Sequence, residues 1–323
     1  MVRVLMISKW HVHAAGYAKD INAQPDARVS CVWDDDIERG AAWAQELGAH
    51  FEPDLQKALA RDDVDAVAVD TPTIEHKNVM LAAAKAGKHI FTEKTLALTK
   101  SDAEEIADAV RAAGVKFCIS LPSLTLPHIV YAKQLIDEGK IGKVHYMRMR
   151  KAHNGASGGW LPKYWYDVEK AGGGAMMDLG CHPMYIASYL LGLPTRIASV
   201  YNNNYAPNGV DDNCVSVAEF ENNAIAVLET SFISPIGVDS FEVLGSEGAI
   251  YSIDDKIRLR TKNSDGWTII DRLPNTTPSA LRQLIDSIEN GVDVLFDLDK
   301  AIKLADLLEK AYISHKEQRI VKF

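Results

Sequence analysis

The sequence predicts an α/β protein in two parts. A doubly wound parallel sheet of Rossmann type comes first, and an α+β part with a large, mostly antiparallel open sheet follows. Three observations carry this. Up to Ser120 short apolar runs alternate with helical stretches, the rhythm of a parallel sheet. After Gly142 longer runs, some strictly alternating, replace them. The chain has 323 residues, 47% of them apolar, enough for two cores of roughly 100–200 residues each. The expected division is a first domain at 1–121 and a second at 122–323, with the last helix packing back on the first.

The elements follow in order. VRVLMIS, ARVSCVW, VDAVAVD, HIFTEK and KFCIS are almost continuously apolar, as strands buried on both faces are. Between them stand IERGAAWAQELG, IEHKNVMLAAAKAG and SDAEEIADAVRAAG, each with acidic residues in or near its first turn. Each ends at a glycine suited to the left-handed position after a helix. In the second half KVHYMRMRKAH, TRIASVYNNNY, CVSVAEFENNAIAVLETSF, SFEVLGSEGAIYSI and KIRLRTKNSDGWTIIDRL read as strands. Asn222-Asn223, Glu247-Gly248 and Asp265-Gly266 supply their turns. SALRQLIDSIENG and LDKAIKLADLLEKAYISHK close the chain as helices.

Composition removes several classes of function. With 35 basic against 44 acidic residues the net charge is −9, so a uniformly basic nucleic-acid face is not expected. The longest uncharged stretch, LGCHPMYIASYLLGLPT, is broken by Gly180, Pro183 and Gly192, short of the roughly 20 apolar residues of a membrane span. Lys9, His11 and His13 interrupt the opening apolar run before it reaches signal-peptide length. Cys31, Cys118, Cys181 and Cys214 form no C-x-x-C pair; Cys31 and Cys118, in apolar strand-like runs, read as small hydrophobes, and a reducing cytoplasm is expected.

The stretch MISKWHVHAAGY joins the first strand to the first helix, where a dinucleotide-binding turn carries Gly-x-Gly-x-x-Gly. Ser8, Trp10 and His13 stand at the three glycine positions. What remains is the helix N-terminus, whose N–H groups and dipole attract an anion, with donors from Ser8, His11 and His13. Asp34 ends the second strand, the place for a carboxylate accepting the ribose hydroxyls of NAD and repelling the 2′-phosphate of NADP. The loop alone fits equally a sheet that binds nothing at this turn. His11-x-His13 has no matching cysteine or carboxylate spacing, so no metal is expected.

Further on come VDTPTIEHKNVMLAAAKAGKHIFTEKTLALT, IDEGKIGKV and AGGGAMMDLGCHPMYIASYLLG. Together with HVHAAGY these resemble the glucose–fructose oxidoreductase, inositol dehydrogenase and rhizopine-catabolism family, over nearly the whole chain. The resemblance implies a dinucleotide domain and an open-sheet domain, with substrate between them and dimers or tetramers formed through the sheet. It implies that Thr71 and Pro72 edge the nicotinamide ribose and that His76 opens the next helix. It implies that Glu93 and Lys94 bring cofactor and reacting carbon together, and that Asp178 and His182 face Lys94.

Elementary chemistry agrees with those roles. Oxidising a secondary alcohol needs a hydride acceptor at the carbon and a base at its hydroxyl. A histidine such as His182 titrates near neutrality, Asp178 four residues earlier shares a helical face with it, and the Lys94 ammonium stabilises a developing alkoxide. The bland alternatives are a surface Glu93–Lys94 ion pair and a core histidine at 182. Trp160, Tyr164 and Trp165 offer apolar faces to a sugar ring and His153 a hydrogen bond, or else they pack a core or a subunit contact.

Three positions depart from the family pattern: the glycine-poor loop, Thr95 where a cis-proline would fix the lysine, and Tyr185 where relatives often carry an acid. The leading expectation is a cytoplasmic NAD-dependent dehydrogenase of a sugar, polyol or cyclitol, forming a homodimer or homotetramer. An NAD-requiring glycosidase with no net redox change and a non-catalytic nucleotide or sugar sensor are the alternatives.

Overall fold

The computed structural model describes residues 1–206, 209–237, 239–253, 256–275 and 277–323. They form two compact units. The first is Met1–Ser120 with Pro278–Ala305, and the second is Leu121–Thr277 with Asp306–Phe323. The boundary expected after residue 121 thus falls at Ser120. Residues 278–305, expected in the second domain, group with the first.

In the first unit the order is β1 (Val2–Ile7), α1 (Ala14–Ala23), β2 (Ala27–Trp33), α2 (Ile37–Leu47), β3 (His50–Phe51), α3 (Leu55–Leu59) and β4 (Ala66–Val69), then α4 (His76–Lys85), β5 (His89–Thr92), α5 (Lys100–Ala113) and β6 (Phe117–Ile119). The sheet order is β3-β2-β1-β4-β5-β6, and every pairing is parallel. All four residues of β4 are buried, which explains its unbroken apolar text. The short β3 and α3 carry too little pattern to be read from sequence.

Helix ends follow local chemistry. Asp36 accepts the Arg39 N–H at 3.0 Å to start α2, and Thr99 accepts the Asp102 N–H at 3.1 Å to start α5. Gly48 and Gly114 end these helices with φ of 64° and 65°. The strand order reverses between β1 and β4, so the loops after their C-terminal ends, 8–13 and 70–72, lie at the switch point where open parallel sheets bind ligands. The His11 N–H donates to the Asp70 carbonyl at 3.1 Å and ties the two loops together.

The second unit holds α6 (Pro127–Asp137), β7 (Val144–Ala152), α7 (Val168–Ala171), α8 (Cys181–Leu191), β8 (Pro194–Asn202), β9 (Asn213–Phe220), β10 (Ile225–Ser231), β11 (Ser240–Gly245), β12 (Gly248–Ile253), β13 (Lys256–Thr261) and β14 (Thr268–Ile269). The chain then runs through α9 (Ala280–Asn290) in the first unit. The twenty-residue α10 (Leu298–Glu317) starts in the first unit and ends in the second, and β15 (Val321–Lys322) follows. The sheet order is β14-β13-β12-β11-β7-β10-β9-β8-β15. Its pairs are antiparallel except β7 with β10, which are parallel and are separated in the chain by α7, α8, β8 and β9.

Along β9, Cys214, Ser216, Ala218 and Phe220 are buried while Val215 and Val217 face solvent, as the alternation predicts. Asn223 makes its turn at φ 64°. Gly248 does something other than the turn expected of it. It lies in β12, where a Cβ would stand 2.5 Å from the Arg260 carbonyl oxygen, so close strand approach requires glycine.

Helix α9 is fastened within the first unit by Arg282, whose guanidinium donates to both Asp26 oxygens at 2.7 and 2.9 Å. The Asp26 pair raises the Arg282 pKa and the Arg282 pair lowers that of Asp26. Both groups are partly exposed, so solvent screening reduces the pair's worth. Arg282→Ala is expected to cost about 1 kcal/mol of stability. A double-mutant cycle with Asp26→Ala in urea melts checks it, and additive losses would show that the bidentate pair contributes nothing.

Candidate functional site

The chemistry of the first unit gathers around one carboxylate. Glu93, directly after β5, is almost wholly buried. Its Oε1 meets Nδ1 of His13 at 2.7 Å and accepts the Tyr17 hydroxyl, and its Oε2 accepts the Lys94 N–H at 2.8 Å. His11 Nδ1 lies 3.9 Å from the same carboxylate. Burial alone would push this carboxyl up, but His11, the His13 hydrogen bond and Lys94 outweigh it and hold Glu93 well below the usual carboxylate range. Tyr17 responds oppositely. Burial and the charge on Glu93 raise its phenol well above the ordinary value, so it keeps its proton, and Ser120 Oγ stands 2.7 Å from its oxygen.

His11, His13 and Glu93 place ligand-capable atoms within 4.8 Å of one another, a grouping that chain spacing conceals because Glu93 lies 80 residues away. Lys94 is itself buried. The Lys94–Thr95 peptide bond is cis although Thr95 replaces the proline, so the constraint expected to be missing is present.

At its first position the loop after β1 achieves without glycine the tight turn for which the motif uses one. Ser8 takes φ 71°, its N–H bonds the Trp33 carbonyl at 2.7 Å, and its hydroxyl accepts the Trp10 N–H at 3.2 Å. Trp10 and His11 are buried and His13 is more exposed. Helix α1 has no side-chain cap at its N-terminus, and a Cβ on Gly16 would meet nothing within 4 Å. The buried Thr71 Oγ1 at the end of β4 has no hydrogen-bond partner. An open helix start and an orphaned hydroxyl at the switch point fit a dinucleotide.

Asp34 fits less simply. Its oxygens accept from the N–H groups of Lys9 at 2.8 Å and Asp36 at 3.0 Å, and from Arg39 at 2.9 and 2.5 Å. Those four bonds fill its lone-pair directions. Burial would raise its pKa, yet the Arg39 bond and the two main-chain donors lower it. His76, expected beside the cofactor, turns instead to the protein frame. Its nitrogens face the carbonyls of Thr95 at 2.8 Å and Thr71 at 3.2 Å. Burial lowers its pKa, so the neutral ring donates to one carbonyl and spaces the two segments that flank Lys94. Pro72 opens the turn Thr73–Glu75 that leads into α4.

In the second unit Asp178 lies in a π-helical turn, Met176–Gly180, that runs into α8, and Pro183 falls harmlessly in the first turn of α8. His182 Nδ1 is met by Tyr185 Oη at 2.5 Å and by Ser123 Oγ at 2.9 Å. Two hydroxyls therefore help orient the ring, the task expected of Asp178. The glycine run before the turn is held by Asp211, which accepts the N–H groups of Gly174 at 2.9 Å and Met176 at 2.8 Å, and the Tyr312 hydroxyl at 2.8 Å.

His153 stacks on Phe232 with 5.1 Å between centroids and 4° between planes, and lies 4.7 Å from the Trp160 ring. Its Nδ1 accepts the Gly155 N–H at 3.0 Å, and burial lowers its pKa against the charge of Asp178. Trp160 and Tyr164 are exposed at 56% and 39%, whereas Trp165 is buried at 5% and packs as core.

Sequence reasoning missed Tyr17, Arg39, Asp70, Ser120, Ser123, Asp211 and Tyr312. Tyr17, four residues after His13, and Arg39, four after Asp35, were within reach of helical spacing. The others join positions far apart in the chain.

The comparisons agree on both halves. A family model described as "Oxidoreductase family, NAD-binding Rossmann fold" matches residues 12–121, and one described as "GFO/IDH/MocA C-terminal domain" matches 129–251. The scyllo-inositol 2-dehydrogenase (NAD(+)) of Bacillus subtilis is 32% identical over 299 residues, covering 88% of this chain and 85% of that protein. The 2,7-anhydro-N-acetylneuraminate hydratase of Mediterraneibacter gnavus is 31% identical over 215 residues, covering 64% of this chain and 55% of that one. Among solved structures, GenD2 from gentamicin A biosynthesis, in complex with NAD, has a TM-score of 0.86 at 25% identity, covering 100% and 96% of the two chains. Among the described residues no helix is long and apolar enough to cross a membrane.

Asp70 supplies a test of these electrostatics. It is fully buried, and neither carboxyl oxygen has a hydrogen-bond partner. Burial, then the charge on Glu93, raises its pKa well above the ordinary value. The fold therefore keeps a proton that the unfolded chain loses near pH 4, so the stability linked to this group is complete below that pH and falls as pH rises. Asp70→Asn should raise stability at pH 7 by about 1–3 kcal/mol and flatten its decline with pH. Melts at pH 5, 7 and 9 check this, and a destabilised variant would mean that the carboxyl holds something the fold needs.

Proposed function

The chain belongs to the GFO/IDH/MocA oxidoreductase family, and from that premise we propose that it is an NAD-dependent dehydrogenase of a secondary alcohol in a sugar, polyol or cyclitol. One observation carries the reading: an ionised, buried Glu93 gathers His13, Tyr17 and the Lys94 N–H at the C-terminal edge of the parallel sheet. Ser8, Trp10, His11 and His13 with the start of α1 would hold the pyrophosphate, and Thr71 and Pro72 the nicotinamide ribose. The bound nicotinamide supplies the hydride acceptor, which no side chain can provide.

The roles of the protein's own groups are assigned residue by residue from the family motif. The Lys94 ammonium stabilises charge developing on the substrate oxygen, where a dry setting strengthens it. His182 manages the proton at that oxygen, and Asp178, two residues before the helix that carries His182, supports it. Trp160 and Tyr164 offer exposed rings to a sugar face, with His153 as donor and Trp165 as their backing. The similarity to a scyllo-inositol dehydrogenase supports a cyclitol or related polyol. The solvent-facing Val200, Val215 and Val217 on the open sheet support self-association through that face.

A second reading is the NAD-requiring glycosidase, with transient oxidation and no net redox change; it is favoured by the relative named a hydratase, since adding water changes no oxidation state. Purified enzyme with NAD on an inositol and aldose panel separates the two. Net NADH formation supports the dehydrogenase, and NAD-requiring turnover with none supports the second reading. Lys94→Ala and His182→Gln are each expected to lose turnover by about a hundredfold or more while keeping cofactor affinity within a few fold. Full activity in both would remove the assignment.

NAD rather than NADP is proposed because Asp34 would repel a 2′-phosphate, although Arg39 covers that carboxylate. Arg39→Ala should leave NAD binding within a few fold, since it uncovers Asp34 for ribose hydroxyls, and weaken NADP about tenfold. Titration of both cofactors by tryptophan quenching measures it, and a stronger loss for NAD would deny Asp34 that part.

A further inference from the structure

We propose that Asp211 and Tyr312 are positioning residues that set the turn carrying Asp178. The inference rests on the reading of Asp178 as support for the proton-handling His182, and it deepens that reading. It starts from the triple glycine, whose second and third members stand against these two residues. A Cβ on Gly173 would lie 2.2 Å from the Tyr312 hydroxyl oxygen, and one on Gly174 would lie 2.0 Å from the Asp211 carbonyl oxygen.

Asp211 takes three successive main-chain N–H groups. Its Oδ1 accepts Gly174 N–H at 2.9 Å, its carbonyl oxygen accepts Ala175 N–H at 2.7 Å, and its Oδ2 accepts Met176 N–H at 2.8 Å. These groups open the turn Met176–Gly180, which has no side-chain cap from its own N-terminal residue. The first N–H groups of a helical segment find no partner within it. Asp211, 37 positions after Gly174, satisfies them from outside. The Asp178 N–H in turn bonds the Gly174 carbonyl at 3.0 Å, so Asp178 stands one hydrogen bond from the clamped backbone.

The Asp211 side chain is itself held. Tyr312, on α10, donates its hydroxyl to Oδ1 at 2.8 Å, and the Cys214 thiol reaches Oδ2 at 3.0 Å. Burial, then the charge of Asp211, raises the Tyr312 phenol well above its ordinary value, so it keeps the proton it donates. Its ring meets Tyr201 edge-on with 5.2 Å between centroids. The last helix therefore reaches Asp178 through one hydroxyl and one carboxylate.

The same unit contains a gauge of where Asp178 lies. The charge of Asp178 acts on the His153 imidazole against burial, ahead of Lys151 and Asp239. His153 is pinned independently: its N–H bonds the Ser231 carbonyl at 2.9 Å, and its carbonyl accepts the Ser234 N–H at 3.1 Å. NMR titration of the His153 ring in the full chain reads that charge, with His153→Gln identifying the signal. Asp178→Asn sets the reference, a lower midpoint, since a nearby negative charge favours the imidazolium.

Tyr312→Phe and Asp211→Asn should each lower the midpoint by part of that shift. Tyr312→Phe should also lower kcat about tenfold, with cofactor Kd unchanged. A loss of stability that leaves the turn in place would not move the midpoint, and a wild-type midpoint in Tyr312→Phe would overturn the proposal. Should Asp211→Asn fail to fold, Tyr312→Phe, which removes only the hydroxyl, decides alone. Full turnover in Asp178→Asn would instead sink the supporting role of Asp178, while the titration still decides whether Asp211 and Tyr312 place it.

Discussion

A negative charge with almost no access to water organises the first unit. Burying a carboxylate is costly unless donors surround it, and Glu93 collects them from three parts of the chain: His13 at the start of α1, Tyr17 one turn on, and the main-chain N–H of Lys94. Each is thereby fixed in place. The loop after β1 cannot drift without separating His13 from the carboxylate, and the main chain at Lys94 cannot shift without taking its N–H away. A position read from sequence only as half of a Glu-Lys motif is the post to which the glycine-poor loop is tied.

The second unit uses a carboxylate in the opposite way. Asp211 accepts successive N–H groups from the Gly173–Ala175 run and the turn that follows, and the chain lies so close that a Cβ on Gly174 would stand 2.0 Å from the Asp211 carbonyl oxygen. Glycine at 174 is therefore required by proximity, whereas at Ser8 the positive φ is sustained by hydrogen bonds to neighbouring main chain. Glycine in a motif stands for a backbone requirement, and that requirement has more than one chemical solution.

Much of the fold was legible because burial leaves a periodic trace. The continuous apolar runs of β1, β2 and β4 and the alternation of β9 follow from how many faces each strand covers. Hidden were elements too short to show a period, such as β3 and α3, and the return of residues 278–305 to the first unit, where α9 buries Leu281, Leu284 and Ile285 and Arg282 meets Asp26 across most of the chain. The candidate site divides similarly. Residue types with intrinsic chemistry, such as Lys94 and His182, stand out in the text. Their supports do not, because Ser120, Ser123 and Asp211 are ordinary letters whose meaning comes from long-range contact.

The three departures from the family pattern therefore differ in kind. Ser8 for glycine and Thr95 for proline leave the backbone geometry as the motif would have it, with φ 71° at one and a cis bond at the other. Tyr185 for an acid preserves a different thing, a polar group against Nδ1 of His182, but one that can donate as well as accept. An ionised carboxylate only accepts, while a phenol can accept, as it does from the Ser123 N–H, and can also donate. The first two substitutions are conservative for structure and silent for chemistry. The third is conservative for position and consequential for chemistry, because the side of an imidazole that carries the proton determines what it offers to an oxygen at its other nitrogen.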